Sequence, residues 1–412
     1  MFHSADRSTT RSPANRPRRR GAVAALVALL LVPLMGMVAF ALDIAWIVQS
    51  RSDLQSAADA AALAGAEQLM NGFVQYSLPG QTNQSTILNT AESSAKTFAK
   101  NFASYNTAGG VSLLTLKDAD IEFGFTNASN NYTAAPGYSG FPNTVKVTMR
   151  LDSSANGALK LFFAPLFGQN STNIKATAAA TIFTANVNSF QVASVNASVL
   201  PMTIDINAWN TFIQSGVSSD GTTHAGSNGA PQMQVYPSPT NAPGNFGMLS
   251  LDDSSNSAST IRGWIDDGLG SSDLATLKSA NLLPIPNLNP PQWNWKGAPG
   301  FKASDLNDLT VGSDFMLPLF QPVVSTPGST YQATDGSTGP ATPGSGGHGN
   351  NTYYNIVSFV GVQITQLDKS SDAYVQPIAM ISPTFLYDSS SVAPAGTTSS
   401  LTTTFTTPKL TQ

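Results

Sequence analysis

The longest uninterrupted hydrophobic pattern in the chain is GAVAALVALLLVPLMGMVAFAL, residues 21–42, where no charged residue occurs. At ~1.5 Å per residue, a helix of this length spans roughly 33 Å, enough for a hydrocarbon core of about 30 Å. Past Ile44 the pattern changes from continuous to periodic. Apolar or small residues recur at Ile47, Leu54, Ala58, Ala61, Gly65 and Leu69, while Gln49, Asp53, Asp59 and Glu67 fall mostly elsewhere on the circumference. This predicts an Ala-rich amphipathic helix continuing the span, with Asn71-Gly72 marking its end near residue 70. A stripe of Ala and Gly lets a second backbone approach closely. Two partners fit that stripe: the protein's own outer part, or a helix of another molecule.

Further along, Ile87, Leu88, Ala91, Ala95, Phe98, Ala99 and Phe102 share one face of a predicted helix over 85–105, with Ser85 or Thr86 as its cap. DIEFGFT and TVKVTMRL alternate as strands do. Residues 71–186 therefore read as an α+β unit. Beyond residue 187 the strand candidates are SVLPMTIDI, FGMLSLD, FMLPLFQPVV, YYNIVSFVGVQI and PIAMISPTFLY, with one short helix at SSDLATLKSA. Residues 325–352 are too poor in apolar side chains to order themselves and read as a flexible loop, and the Ser/Thr-rich end from about residue 389 reads as loose. The fold class is α+β: a basic tail (1–20), a transmembrane helix (21–42), an Ala-rich helix (43–70), the α+β unit (71–186) and a β-rich region (187–412).

Charge orients this arrangement. Residues 1–20 hold six arginines and one aspartate, a net of about +5 against −4 for the whole chain, so the remainder is acidic. Arg16, Arg18, Arg19 and Arg20 before the span and Asp43 after it place the N-terminus in the cytoplasm and everything beyond residue 43 outside. Ala39-Phe40-Ala41 would suit a cleaved signal peptide, but the apolar run exceeds a typical h-region. Arg19-Arg20 admits a twin-arginine signal. Prepilin-type processing before Gly21 would call for an acidic residue five places on, where Leu26 stands. Only 11% of residues are charged, as befits an exported chain rather than a cytosolic enzyme. A basic charge confined to a short tail does not describe a nucleic-acid-binding surface.

Candidate chemistry is sparse. Cysteine is absent, which excludes thiol catalysis, Cys-based zinc sites and disulfides. His3, His224 and His348 are the three histidines, and no two have metal-ligand spacing. No G-x-S-x-G, H-E-x-x-H or Walker A sequence occurs. Asp253, Ser255 and Ser257 spell D-x-S-x-S, a hard-oxygen set suited to Mg²⁺, and equally a Ser-rich turn. Trp293 and Trp295 could stack on a sugar or peptide, or staple a Pro-rich loop to the core.

The basic flank, Gly21, the span with Pro33, Ala41-Leu42-Asp43-Ile44-Ala45 and the run LQSAADAAALAGA (54–66) together resemble the N-terminal region of TadG-like proteins of the Tad (tight adherence, Flp pilus) assembly system. NTVKVTMRLD, LKLFFAPLFG and NIKATAAATI (143–152, 159–168, 173–182) are similar to the strand, aromatic-rich turn and Ala/Thr strand that follow in that family; LPMTIDINAW, GNFGMLSLD and YNIVSFVGVQI resemble segments of its longer members. Some relatives carry a von Willebrand A-type domain, and no convincing one is found here. The resemblance implies a membrane-anchored, non-enzymatic pilus-assembly component of the bacterial inner membrane. It would use no cofactor, nucleic acid or small-molecule substrate, and would meet other pilus-assembly or pilin-like membrane proteins through the 51–70 helix. A second reading is a surface adhesin or carbohydrate-binding module using the Trp-bearing region, with or without a metal at Asp253.

Overall fold

The computed structural model describes residues 21–191, 193–236, 246–251, 257–279, 293–296, 308–320, 330–332, 338–340, 353–368, 372–398 and 401–411. It opens with a single helix, α1 (Gly21–Glu67), of 47 residues, about 70 Å long at 1.5 Å per residue. Helix Leu26–Tyr76 is long and apolar enough to cross a membrane. Its two halves differ sharply. From Val23 to Val48 large apolar side chains point outward uncovered, whereas Leu54, Ala57, Ala58, Ala61, Ala62 and Ala66 are fully buried.

At Gln68 the helix breaks and resumes as α2 (Leu69–Tyr76). Asn71 and Gly72 therefore lie inside a helix rather than ending one. A Cβ on Gly72 would lie 2.7 Å from the Ala91 Cβ and 2.8 Å from the Phe141 ring. The glycine is needed for close approach, not for termination. The chain then turns back as α3 (Gln84–Ser104), whose cap is Asn83 rather than Ser85 or Thr86. Ala91, Ala95, Ala99 and Ala103, spaced by four, form its buried seam. Phe98 and Phe102 instead remain partly exposed.

The first sheet carries this helix pair. It comprises β1 (Ile121–Thr126), β2 (Tyr132–Ala134), β3 (Thr144–Leu151) and, after the short pair β4 (Leu159–Lys160) and β5 (Ser171–Thr172), β6 (Ile174–Thr181). In the β3–β6 register, Val145 faces Ala180, Val147 faces Ala178 and Met149 faces Ala176. One side of the pair is thus large residues, the other alanine. The alanine row lets α1 settle close to the sheet, and Gly65 sits where a Cβ would be 3.3 Å from both Ala95 O on α3 and Val145 Cγ1 on β3.

The chain leaves this unit through β7 (Phe183–Thr184) and β8 (Val187–Phe190) for a second, β-rich one. Its strands are β9 (Met202–Asp205), β10 (His224–Ala225), β11 (Pro231–Tyr236), β12 (Phe246–Met248), β13 (Trp293–Lys296), β14 (Asp314–Phe320), β17 (Tyr353–Asp368) and β18 (Asp372–Pro377). They run in the order β10-β11-β18-β17-β14-β9-β12, with β13 also on β17. All pairings are antiparallel except β9 with β14. Within the expected flexible loop 325–352, β15 (Thr330–Gln332) and β16 (Thr338–Pro340) pair with each other; the rest of that loop lies outside the described residues. Among the described residues three helices accompany the sheet: α4 (Ile206–Ser215), α5 (Ala258–Asp267) and α6 (Ser271–Ser279). The last is the short helix expected. The sequence pattern does not predict the first two; Asp205 caps α4 through Asn207 N–H, and Ser257 caps α5 through Thr260 N–H.

The Ser/Thr-rich end is not loose. β19 (Phe385–Tyr387) pairs with β8, β20 (Ala393–Pro394) with β7, and β21 (Lys409–Leu410) with β6, closing the first sheet as β2-β1-β3-β6-β21. Phe405 is fully buried in the first core. The segment's few apolar residues and its hydroxyls find partners far back in the chain, as in the run Thr126–Thr144–Thr181–Thr411, its first three members buried, whose successive Oγ1 atoms lie 2.7, 2.8 and 3.0 Å apart. Asn143 anchors this run: its Nδ2 donates to Thr126 O and Ala395 O, both at 2.9 Å.

Candidate functional site

A buried carboxylate lies within the otherwise uncovered half of α1. Asp43, read from sequence as a flanking charge, is only 4% exposed. Its carboxylate accepts from three consecutive backbone amides: Phe162 N to Oδ1 at 2.8 Å, Phe163 N to Oδ2 at 3.1 Å and Ala164 N to Oδ2 at 2.7 Å. These amides open a 3₁₀ turn, Ala164–Phe167, that ends at Gly168 with φ 84°. Carboxylate–amide bonds of this kind are charge-assisted and stronger than neutral ones. One helical turn further, Trp46 Nε1 donates to Lys160 O at 3.2 Å, and its ring lies 5.6 Å from that of Phe162. Two side chains of α1 thus hold both ends of the segment Lys160–Ala164. No local signal could have shown this, since Asp43 and its partners are about 120 residues apart in the chain.

The small-residue stripe is the next candidate. Ala58, Ala61 and Gly65 face α3, β3 and β6 of the same molecule and are covered by them. The sequence left two partners open, and the structure puts the protein's own fold in that place. The stripe is therefore not available to a second helix while the fold is intact, which corrects the expectation that partners meet the 51–70 helix there.

The remaining candidates do not converge. His224 Nε2 lies 2.8 Å from Asp220 Oδ2 and 2.9 Å from Thr222 Oγ1, with the Tyr374 ring 5.0 Å away. Burial works to raise the Asp220 carboxyl, and hydrogen bonds from Thr222 and His224 outweigh it, holding it below the ordinary carboxylate range. Asp220 and Thr222 belong to the turn that leads into β10, whose first residue is His224, and the imidazole nitrogen is occupied by that turn. Of the D-x-S-x-S set, Ser257 caps α5, while Asp253 and Ser255 lie outside the described residues, as do His3 and His348. Trp293 and Trp295 stand in β13, two apart on a strand that pairs with β17 opposite Ile356 and Tyr354. Among the described residues no group of three or more His, Asp or Glu side chains is placed to hold a metal ion.

Residues 21–68 match the Tad family model, described as "Putative Flp pilus-assembly TadE/G-like". The match begins with the apolar half of α1 and ends where the helix breaks, taking in Asp43, Trp46 and the buried stripe; the outer sheets lie beyond it. No curated protein and no solved structure matches the chain.

Proposed function

We propose that this chain is a membrane-anchored, non-enzymatic component of a Tad/Flp-type pilus-assembly apparatus, held in the bacterial inner membrane by residues 21–42 with its N-terminus in the cytoplasm and its two sheets outside. The observation that carries this reading is the division of α1, apolar and uncovered up to Val48 and buried from Leu54 onward. A helix of that kind is suited to lipid at one end and is part of a folded domain at the other. The family match supports the assignment to pilus assembly, and the arginines before the span support the orientation. Because the 54–66 stripe is already used within the fold, contacts with pilin-like or other assembly proteins inside the bilayer fall to the faces of the span. Deleting the gene should abolish Flp-type filaments. The full chain should restore them, and a chain lacking residues 21–42 but still exported should not. Filaments assembled at normal abundance without this chain would overturn the reading.

A further inference from the structure

The segment LFFAPLFGQNST, residues 161–172, carries no charge, and its large apolar side chains are turned away from the protein: Phe162 is 65% exposed, Leu166 81% and Phe167 81%. Phe212 and Phe405, by contrast, are completely buried, although Phe98, Phe102 and Tyr105, on and just after α3, are exposed as well. The exposed segment is also fixed in place, by the Asp43 carboxylate and the Trp46 indole. Its position relative to α1 is the informative part. Phe163 and Phe167 line one side of an apolar groove of about 680 Å³ whose other side is Gly36, Met37 and Phe40, and the groove reaches down the helix to Pro33. Ten residues of helix separate Pro33 from Asp43, roughly 15 Å at 1.5 Å per residue. The turn therefore hangs back alongside the end of the span instead of standing above it.

From this placement, and resting on the reading of residues 21–42 as a span, we propose that the Phe162–Phe167 turn is a second membrane contact, inserted into the outer leaflet beside the helix, with lipid acyl chains filling the groove between them. If the helix crosses the bilayer, a turn locked at the level of residues 36–40 has no aqueous position to occupy. Its chemistry suits that location: uncharged and aromatic at the tip, with Lys160 on its flank and Trp46 at the boundary, the pattern of side chains that settle at a lipid–water interface. A helix alone leaves the outer domain free to swivel about its axis. A helix plus a wedge at its side holds the domain in one orientation, with Asp43 as the fastening between them.

The chain has no cysteine, so single-cysteine variants report cleanly. Full-length protein carrying Leu166→Cys or Phe167→Cys, labelled with an environment-sensitive fluorophore, is reconstituted in phosphatidylethanolamine–phosphatidylglycerol vesicles. Leu30→Cys in the span and Asn89→Cys on the exposed side of α3 serve as references. Labels at 166 and 167 should be quenched by lipid-borne nitroxides as Leu30→Cys is, and should be several-fold less accessible to aqueous iodide than Asn89→Cys. Adding Asp43→Ala should lower lipid quenching at 167 several-fold and leave that at 30 unchanged. Labels at 166 and 167 as open to iodide as that at 89, with 30 in lipid, would overturn the wedge and leave the anchor standing. A label at 30 exposed to iodide would overturn the anchor itself. Labels at 166 and 167 shielded from both quenchers would mean that protein, not lipid, covers the turn, and would equally overturn the proposal.

Discussion

Ala61 offers the sharpest test of where the small-residue stripe is used. It is fully buried in the first core, on the helix face that carries Ala58 and Gly65 against α3 and the first sheet. Ala61→Leu adds three carbons where there is no free space; at Gly65, on the same face, even a single added Cβ would lie 3.3 Å from the backbone oxygen of Ala95. Overpacking of this kind costs about 1–3 kcal/mol. For a unit of 150–250 residues each kcal/mol moves Tm by roughly 2–4 °C, so the variant should melt about 2–12 °C below the native protein. Ser56→Ala, on the exposed side of the same helix, should stay within about 0.5 kcal/mol. The assay is thermal unfolding of the detergent-solubilised full chain by tryptophan fluorescence, with cellular abundance measured beside it. An Ala61→Leu protein that melts with the native one while filament assembly is lost would refute this packing. It would show that the stripe meets a separate helix after all.

Three other substitutions probe contacts distant in sequence. Asn143→Ala leaves the buried amide of Thr126 and the carbonyl of Ala395 without partners and should cost about 2–3 kcal/mol in the same melt. Phe405→Ala should cost about 3–5 kcal/mol by opening a cavity in the first core, and limited proteolysis should then begin at the C-terminal end. Asp205→Ala removes the α4 cap and should lower stability by about 1 kcal/mol, with amide exchange rising first at Asn207.

The apolar run and the periodicity after it mark α1, periodicity marks α3, β1 and β3, and the family resemblance marks β6, because each presents a patterned face to the fold even where, as for α1 on β3 and β6, the neighbour is distant in sequence. α6, shorter than α4 or α5, is legible from its Ser-rich start, whereas the caps of α4 and α5, Asp205 and Ser257, are single residues in a region already rich in polar side chains. The Ser/Thr-rich end looks unfoldable by composition; its order comes from Phe405, from the Thr181 hydroxyl on β6 and from the Ala185 carbonyl, both partners more than 200 residues earlier. The Ala/Gly stripe was plain in the sequence, but small residues at three- and four-residue spacing fit an internal and an external helix equally well. Asp43 was seen only as a charge after a span, since what it binds is brought to it by the turn between β4 and β5.

An anchor at residues 21–42 fixes which side of the membrane each part of the chain lies on. In intact cells carrying single-cysteine variants, a membrane-impermeant maleimide should label Asn89→Cys and should reach Ser8→Cys only after the membrane is opened. Labelling of Ser8→Cys with Asn89→Cys protected, or of both in intact cells, would contradict a chain anchored by residues 21–42 with its folded domains outside.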